Sequence, residues 1–356
     1  MRKAAVSCGV IGIILLVAAG LMAWWITPSY IARLPSDYNK TRTYTGTIKS
    51  LLNPAAVATG NLAAAIRTGL PATLTENVKT TQTSGNTAQI QDTRTITTSG
   101  TKVAALKWHY AVNRQTLEAT SSHPSNWSVT PAKGLTVSWP LGAKKQNYTG
   151  WVPLTHTTTP LKYVRQVQQG GITTYEYHAS VPPTRITDSQ ALAGLPTSLP
   201  TALVPRLAAA GLVTPSQVAG LSAAFPGATS IPLGYTYQAS NNYFVAPATG
   251  LVVNVANDES EVGGIALPTG TIIPILPVLA DTYHATPASL SAAVNDANNG
   301  SSTITTWGVT VPIIGAALGF LLVLLAIFLW MRKRSRGRPV EVEHGQRHPS
   351  PAGRIT

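Results

Sequence analysis

Cysteine is nearly absent from this chain: the single thiol, Cys8, sits in an apolar run near the start. The central region, residues 26–306, has none, so disulfides are excluded and the region must be held by its own core, which a domain of that size can supply. Catalytic signatures are missing too. There is no G-x-S-x-G, no H-E-x-x-H, no P-loop and no G-x-G-x-x-G. His109, His123, His156, His178 and His284 are isolated, without a second His or Cys at metal-ligand spacing. These absences argue against an enzyme, a bound metal and a cofactor. Charge is sparse, at 11% of residues, and within residues 26–306 no basic run exceeds Lys144-Lys145. Nucleic acid is therefore not expected as a partner, despite a formal net charge of +13.

Two long apolar stretches carry no charge, Ala4 to Trp25 and Trp307 to Met331. At 1.5 Å per residue, each is long enough for a helix to cross a hydrocarbon core about 30 Å thick. Arg2 and Lys3 precede the first; Arg332, Lys333, Arg334, Arg336 and Arg338 follow the second. Basic residues beside membrane segments stay on the cytoplasmic side. The expected layout is therefore a cytoplasmic N-terminus (residues 1–3), a transmembrane signal-anchor (4–25), an extracytoplasmic domain (26–306), a second transmembrane helix (307–331) and a basic, disordered cytoplasmic tail (332–356). The first apolar run is longer than a cleaved signal peptide's and lacks an Ala-x-Ala site. Trp24, Trp25 and Trp307 then fall at the outer interface and Trp330 at the inner one, with membrane lipids as partners. Gly315 and Gly319 form a G-x-x-x-G pair suited to close helix packing, the chain's own first segment being one candidate partner.

The central region reads as β-rich, mainly antiparallel with some helix (α+β). Alternating or β-branched runs mark strands at 41–48, 89–97, 103–112, 135–139 and 173–181, and a hairpin joins 234–245 to 251–255. Turns are expected at Ser84-Gly85-Asn86, Ser99-Gly100 and Gly170-Gly171. Gly250 should take positive φ in the hairpin connection. Helices are expected at 54–68, near 201–210 and at 215–224, the last capped by Thr214 with Pro215 following. Residues 296–306 read as a polar linker, and Asp258-Glu259-Ser260-Glu261 as a solvated turn. Leu267 to Leu279 is apolar but broken by three prolines. It is expected to be extended core or a surface groove, with Ile272, Ile273, Ile275 and Leu276 as a candidate ligand surface. The candidate strands look too short and too polar on both faces for a membrane barrel with an apolar outer band.

Several short patterns resemble, in order, those of the PorA porin family, catalogued as DUF3068, a group of actinobacterial envelope proteins. They are Leu34-Pro35-Ser36-Asp37, Tyr44-Thr45-Gly46-Thr47, Leu52-Asn53-Pro54-Ala55, Asn113-Arg114-Gln115-Thr116, Leu135 to Tyr148, and Pro247-Ala248-Thr249-Gly250. Asn113 stands where the family pattern has Asp, Leu141 where it has Phe, and Ala248 where it has Arg. The resemblance implies a membrane protein of the envelope, with an oligomeric pore as one reading. The residues themselves favour a non-catalytic module binding an apolar or amphipathic envelope ligand. A homo-oligomeric pore and an envelope enzyme stay open as alternatives.

Overall fold

The computed structural model describes residues 2–59, 61 and 64–335, in two compact units. One comprises the terminal segments up to Pro28 and from Thr305 onward. It holds α1 (Arg2–Leu21), which continues in wider π-type turns from Met22, and α7 (Val311–Ser335). Both stretches are long and apolar enough to cross a membrane. They pack antiparallel through glycines. A Cβ on Gly12 would lie 2.7 Å from the Gly319 carbonyl oxygen, and one on Gly319 would lie 2.7 Å from that of Gly12. Gly315 faces Ala19 in the same seam.

The other unit, Ser29–Ile304, is built on a mostly antiparallel sheet curved into a half-barrel. Its strands are β1 (Asn39–Leu52), β2 (Ile66–Arg67), β3 (Leu70–Ser84), β4 (Thr87–Thr98), β5 (Thr101–Asn113), β6 (Tyr148–Val152), β7 (Thr157–Gln169), β8 (Ile172–Arg185), β9 (Ser198–Pro200), β10 (Ser230–Val245), β11 (Val252–Ala266) and β12 (Ile272–Ala285). The order across the sheet is β5-β4-β3-β1-β12-β11-β10-β8-β7-β6. Ser99-Gly100 and Gly170-Gly171 take positive φ at both positions, as tight hairpins require. Gly250 has φ +70°, and a Cβ there would overlap the Trp139 carbonyl.

The strands are much longer than the sequence pattern suggested; β10 alone has 16 residues. Strands of this length curve by means of bulges, and register shifts break seven of the strand pairings, as at Ile48/Ser50 and Glu261/Val262. Pro274 and Pro277 are accommodated beside the two shifts of the β11–β12 pair. The edges β5 and β6 are linked through the long connection between them, by bridges Val112–Ala119, Glu118–Leu135 and Leu135–Gly150.

Four expectations are corrected. Residues 135–139 do not form a strand. Only Leu135 bridges the sheet, and Trp139 is drawn away because its amide bonds to the Gly250 carbonyl, at 3.0 Å. The helix expected at 54–68 is only α2 (Pro54–Ala58), and Ile66–Arg67 pairs with the end of β1 instead. The polar stretch 296–306 is not a linker. Residues up to Thr305 belong to α6 (Pro287–Thr305), which buries Ser289, Ala293, Val294 and Ala297 at helical spacing. The acidic cluster 258–261 is not a turn but the middle of β11, paired on both sides.

The helical expectations between 201 and 224 agree with α4 (Val204–Ala209) and α5 (Pro215–Ala224). Thr214 and Gln217 form a full capping box there. A short α3 (Ser189–Leu192) was missed; Asp188 caps it. Aromatic rings are buried in two clusters. Trp108 and Tyr110 belong to one; in the other Trp139 lies 5.2 Å from both Tyr177 and Tyr243, ring centre to ring centre. The start of the expected disordered tail, residues 332–335, is the last turn of α7 instead; the rest, from residue 336 onward, lies outside the described residues.

Candidate functional site

Four of the short patterns meet around one cavity of 410 Å³. Leu34 and Pro35 contribute from the first, Leu141 from the 135–148 segment, and Thr249 from the hairpin connection. The fourth acts through the backbone. Asn113 Oδ1 accepts from the amides of Gln115 (2.9 Å) and Thr116 (3.1 Å), tightening a turn that turns Leu117 into the cavity wall. Leu117 pays for this with φ +57°, a left-handed conformation costing a branched side chain about 1–2 kcal/mol. It is held there with 3% of its surface exposed. Arg114 ties the turn to the first pattern, its Nε donating to the Leu34 carbonyl at 2.8 Å.

Most of the remaining wall is apolar, with Tyr38, Val78, Ile90 and Leu251, and with Ile31 and Ile304 from the two ends of the unit; Ser138, Asn299 and Thr303 add polar groups. One corner is polar. Asp296 of α6 takes Lys40 Nζ at 2.8 Å and Arg42 Nη2 at 2.5 Å. Burial works to raise the Asp296 carboxyl, but the hydrogen bonds from Lys40 and Arg42 outweigh it and hold it below the usual carboxylate range. Burial pushes the Tyr38 hydroxyl up to about 12, so it is a neutral donor. Arg33 lies over the Tyr30 ring, 5.1 Å from its centre. The arrangement is an apolar chamber with a charged, hydrogen-bonding corner. It holds no nucleophile–base pair.

The sequence-predicted ligand surface divides. Ile275 and Leu276 line a second apolar cavity, of 320 Å³, with Leu52, Val57, Leu207 and Tyr235. Ile272 packs against Gly234, and Ile273 pairs with Ile265 in register. In the helical unit Trp24 is 88% exposed; Trp25, Trp307, Trp330 and Arg332 are exposed as well. Lys3 is exposed near the start of α1, Arg2 is its first residue, and Lys333 and Arg334 lie in the last turn of α7.

Sequence reasoning missed a polar cluster inside the half-barrel. Glu259 Oε1 accepts from Asn241 Nδ2 (3.0 Å), Asn257 Nδ2 (3.0 Å) and the Tyr283 hydroxyl (3.1 Å). Arg94 lies 2.9 Å from Glu76 and 3.3 Å from Asp92, which is fully buried and makes no hydrogen bond. Burial raises Asp92 to about 7 against the pull of Arg94. Burial, with Glu259 alongside, raises Glu261 to about 7 and Asp281 to about 8. The usable signal was alternation: Asn257, Glu259 and Glu261 share one face of β11. Among the described residues no group of three His, Cys, Asp or Glu side chains is arranged to hold a metal ion.

A family model described as Porin PorA matches residues 4–328. The chain belongs to the PorA porin family. No curated protein sequence matches it. Among solved structures, a conserved protein with hot dog fold from Alicyclobacillus acidocaldarius is 14% identical, over 70% of this PorA-family chain and 79% of its own, at TM-score 0.13. An acyl-CoA thioesterase II from Mycobacterium marinum is 12% identical, over 69% and 80%, at TM-score 0.12. A putative thioesterase from Novosphingobium aromaticivorans is 11% identical, over 75% and 84%, also at 0.12. Likenesses this slight bear on neither fold nor chemistry.

Proposed function

We propose that this PorA-family chain is a non-catalytic binding or lipid-handling module of the cell envelope, held at the membrane by both terminal helices. The supporting observation is the 410 Å³ cavity, with its apolar wall and a corner formed by Lys40, Asp296 and Tyr38. Ligand sites commonly have this make-up and span about 300–1,000 Å³. The volume is nearly three times the roughly 150 Å³ that accepts a benzene ring. An amphipathic molecule suits it, acyl portion inward and polar end toward the charged corner. The chain leaves the cavity wall at Ile31 and Ile304 and enters the terminal helices within a few residues of each.

The reading places both termini in the cytoplasm and Ser29–Ile304 outside. Cysteines introduced at Ser84 and Ser350 of the Cys8→Ala chain test it on intact cells with an impermeant thiol reagent. Ser84→Cys should be labelled and Ser350→Cys protected; the reverse pattern, or labelling of both, rejects the topology. The binding role is tested by extracting full-length protein purified in detergent and identifying retained molecules by mass spectrometry. At least one amphiphile should be retained in near-stoichiometric amount. A lipid-free preparation that yields single-channel currents in a planar bilayer would instead establish the pore reading.

A further inference from the structure

The half-barrel interior contains a further cavity, of 120 Å³, distinct in chemistry from the two apolar ones. Thr136, Trp139, Trp151, Asn241, Arg94 and Glu259 are in its wall. Five buried polar atoms among them have no hydrogen-bond partner: Trp139 Nε1, Trp151 Nε1, Thr136 Oγ1, Asn241 Oδ1 and Arg94 Nε, the last lying 2.9 Å from the Glu76 carboxylate in an ion pair. Trp139 and Asn241 are 3% and 5% exposed. The orientation of the Asn241 amide is set by its neighbour, because only the nitrogen can donate to the Glu259 carboxylate, 3.0 Å away. Its oxygen is therefore the free acceptor. Leaving such groups unpaired in a buried site is costly.

We infer that this inner cavity is a binding site for a small neutral polyol, a polyhydroxylated molecule of about three to five carbons. The wall offers two indole N–H donors, one amide acceptor and a hydroxyl that can act either way. A ligand meeting all of them must both donate and accept at short range, which is what adjacent hydroxyls do. An anion is disfavoured. Glu76 and Glu259 face the same cavity, and the one cation, Arg94, is already paired with Glu76 at 2.9 Å. A cation is disfavoured because the unpaired indole N–H groups have nothing to accept. At 120 Å³ the cavity falls somewhat short of the roughly 150 Å³ that holds benzene, which sets the size. Thr136 and Trp139 lie outside the regular strands, so the wall they form is the part of the lining not fixed in the sheet. The inference does not depend on what fills the larger cavity.

The test uses full-length protein in detergent and glycerol-free buffer. Glycerol, erythritol and xylitol are titrated by saturation-transfer difference NMR and tryptophan fluorescence, with choline and inorganic phosphate as contrasting probes. At least one polyol should bind saturably, while choline and phosphate should not. Asn241→Leu, and separately Trp151→Phe, which removes little beyond the indole N–H and pyrrole edge, should each weaken binding about tenfold or more. No saturable polyol binding up to about 100 mM would overturn the inference and leave a site for water only. Equal affinity in both variants would overturn it as well. If Asn241→Leu does not fold, Trp151→Phe decides the matter.

Discussion

Replacing Arg94 by leucine should destabilise the half-barrel by about 3–5 kcal/mol at pH 7.5, the usual cost of removing one partner from a buried ion pair. Arg94 is the cation facing Asp92, Glu76 and Glu259. Asp92 is wholly buried, opposite Trp108 in the β4–β5 pair, with no hydrogen bond to spread its charge. The substitution also removes the guanidinium stacked 5.6 Å from the centre of the Trp108 ring. The deficit should depend on pH. Near pH 4 Asp92, which burial raises to about 7, is protonated in the folded chain and no longer presents a charge to Arg94, so the gap should shrink. Adding Asp92→Asn and Glu76→Gln to Arg94→Leu should restore most of the loss at pH 7.5. Chemical denaturation of the three proteins across pH 4–8 is the measurement. A deficit independent of pH would show that Arg94 acts by packing alone.

Asp281→Asn should do the opposite and stabilise the protein at neutral pH. Asp281 is 3% exposed and lies opposite Glu259 in the β11–β12 register. Burial raises it to about 8, with Glu259, Glu261 and Asp258 adding to the effect and Lys49 opposing it. Lys49 is exposed and already bonded to Asp258 at 2.8 Å. A carboxyl raised in the folded state keeps a proton that the unfolded chain releases above about pH 4. Its penalty is therefore absent below that pH and grows as pH rises toward 8. Asp92 and Glu261, both raised to about 7, act in the same direction. Asparagine mimics the neutral form at every pH. The variant should match the parent at pH 4 and exceed it by about 2–4 kcal/mol at pH 8. In thermal melts the gap should widen steadily between those limits. A constant gap would refute the assigned cause.

How much of this was legible in the sequence follows the physics of each element. Hairpin turns such as Ser99-Gly100 and Gly170-Gly171 were readable because positive φ selects glycine locally. The Thr214–Gln217 capping box was readable for the same local reason. The length of β11 was not. Asn, Asp, Glu and Ser are poor strand formers, and only pairing with β10 and β12 on both sides holds Asn257 to Glu261 extended. The helix from Pro287 to Thr305 was hidden because its buried stripe is Ser, Ala and Val, too weak to stand out from a polar segment. The larger cavity was half visible. Its wall includes short patterns at Leu34-Pro35, Leu141 and Thr249, each unremarkable alone; their meeting point is set by long-range backbone bonds such as Trp139 to Gly250. The inner polar cluster was visible only in the alternation of Asn257, Glu259 and Glu261; its other members, such as Arg94 and Asn241, come from strands far apart in the chain.

The central claim is that the 410 Å³ cavity holds an amphipathic ligand. Filling it is the most direct test. Val137 and Leu141 line it from a segment without regular structure, so Val137→Trp and Leu141→Trp should add bulk without breaking a strand. Full-length parent and variants are purified side by side in one detergent, and the retained lipid is quantified per chain by mass spectrometry with thermal melts alongside. The parent should retain near-stoichiometric amphiphile, and the filled variants at least about tenfold less, with melting temperatures within about 3 °C of the parent. Retention undiminished in both folded variants, or a parent that carries no amphiphile at all, would contradict the account.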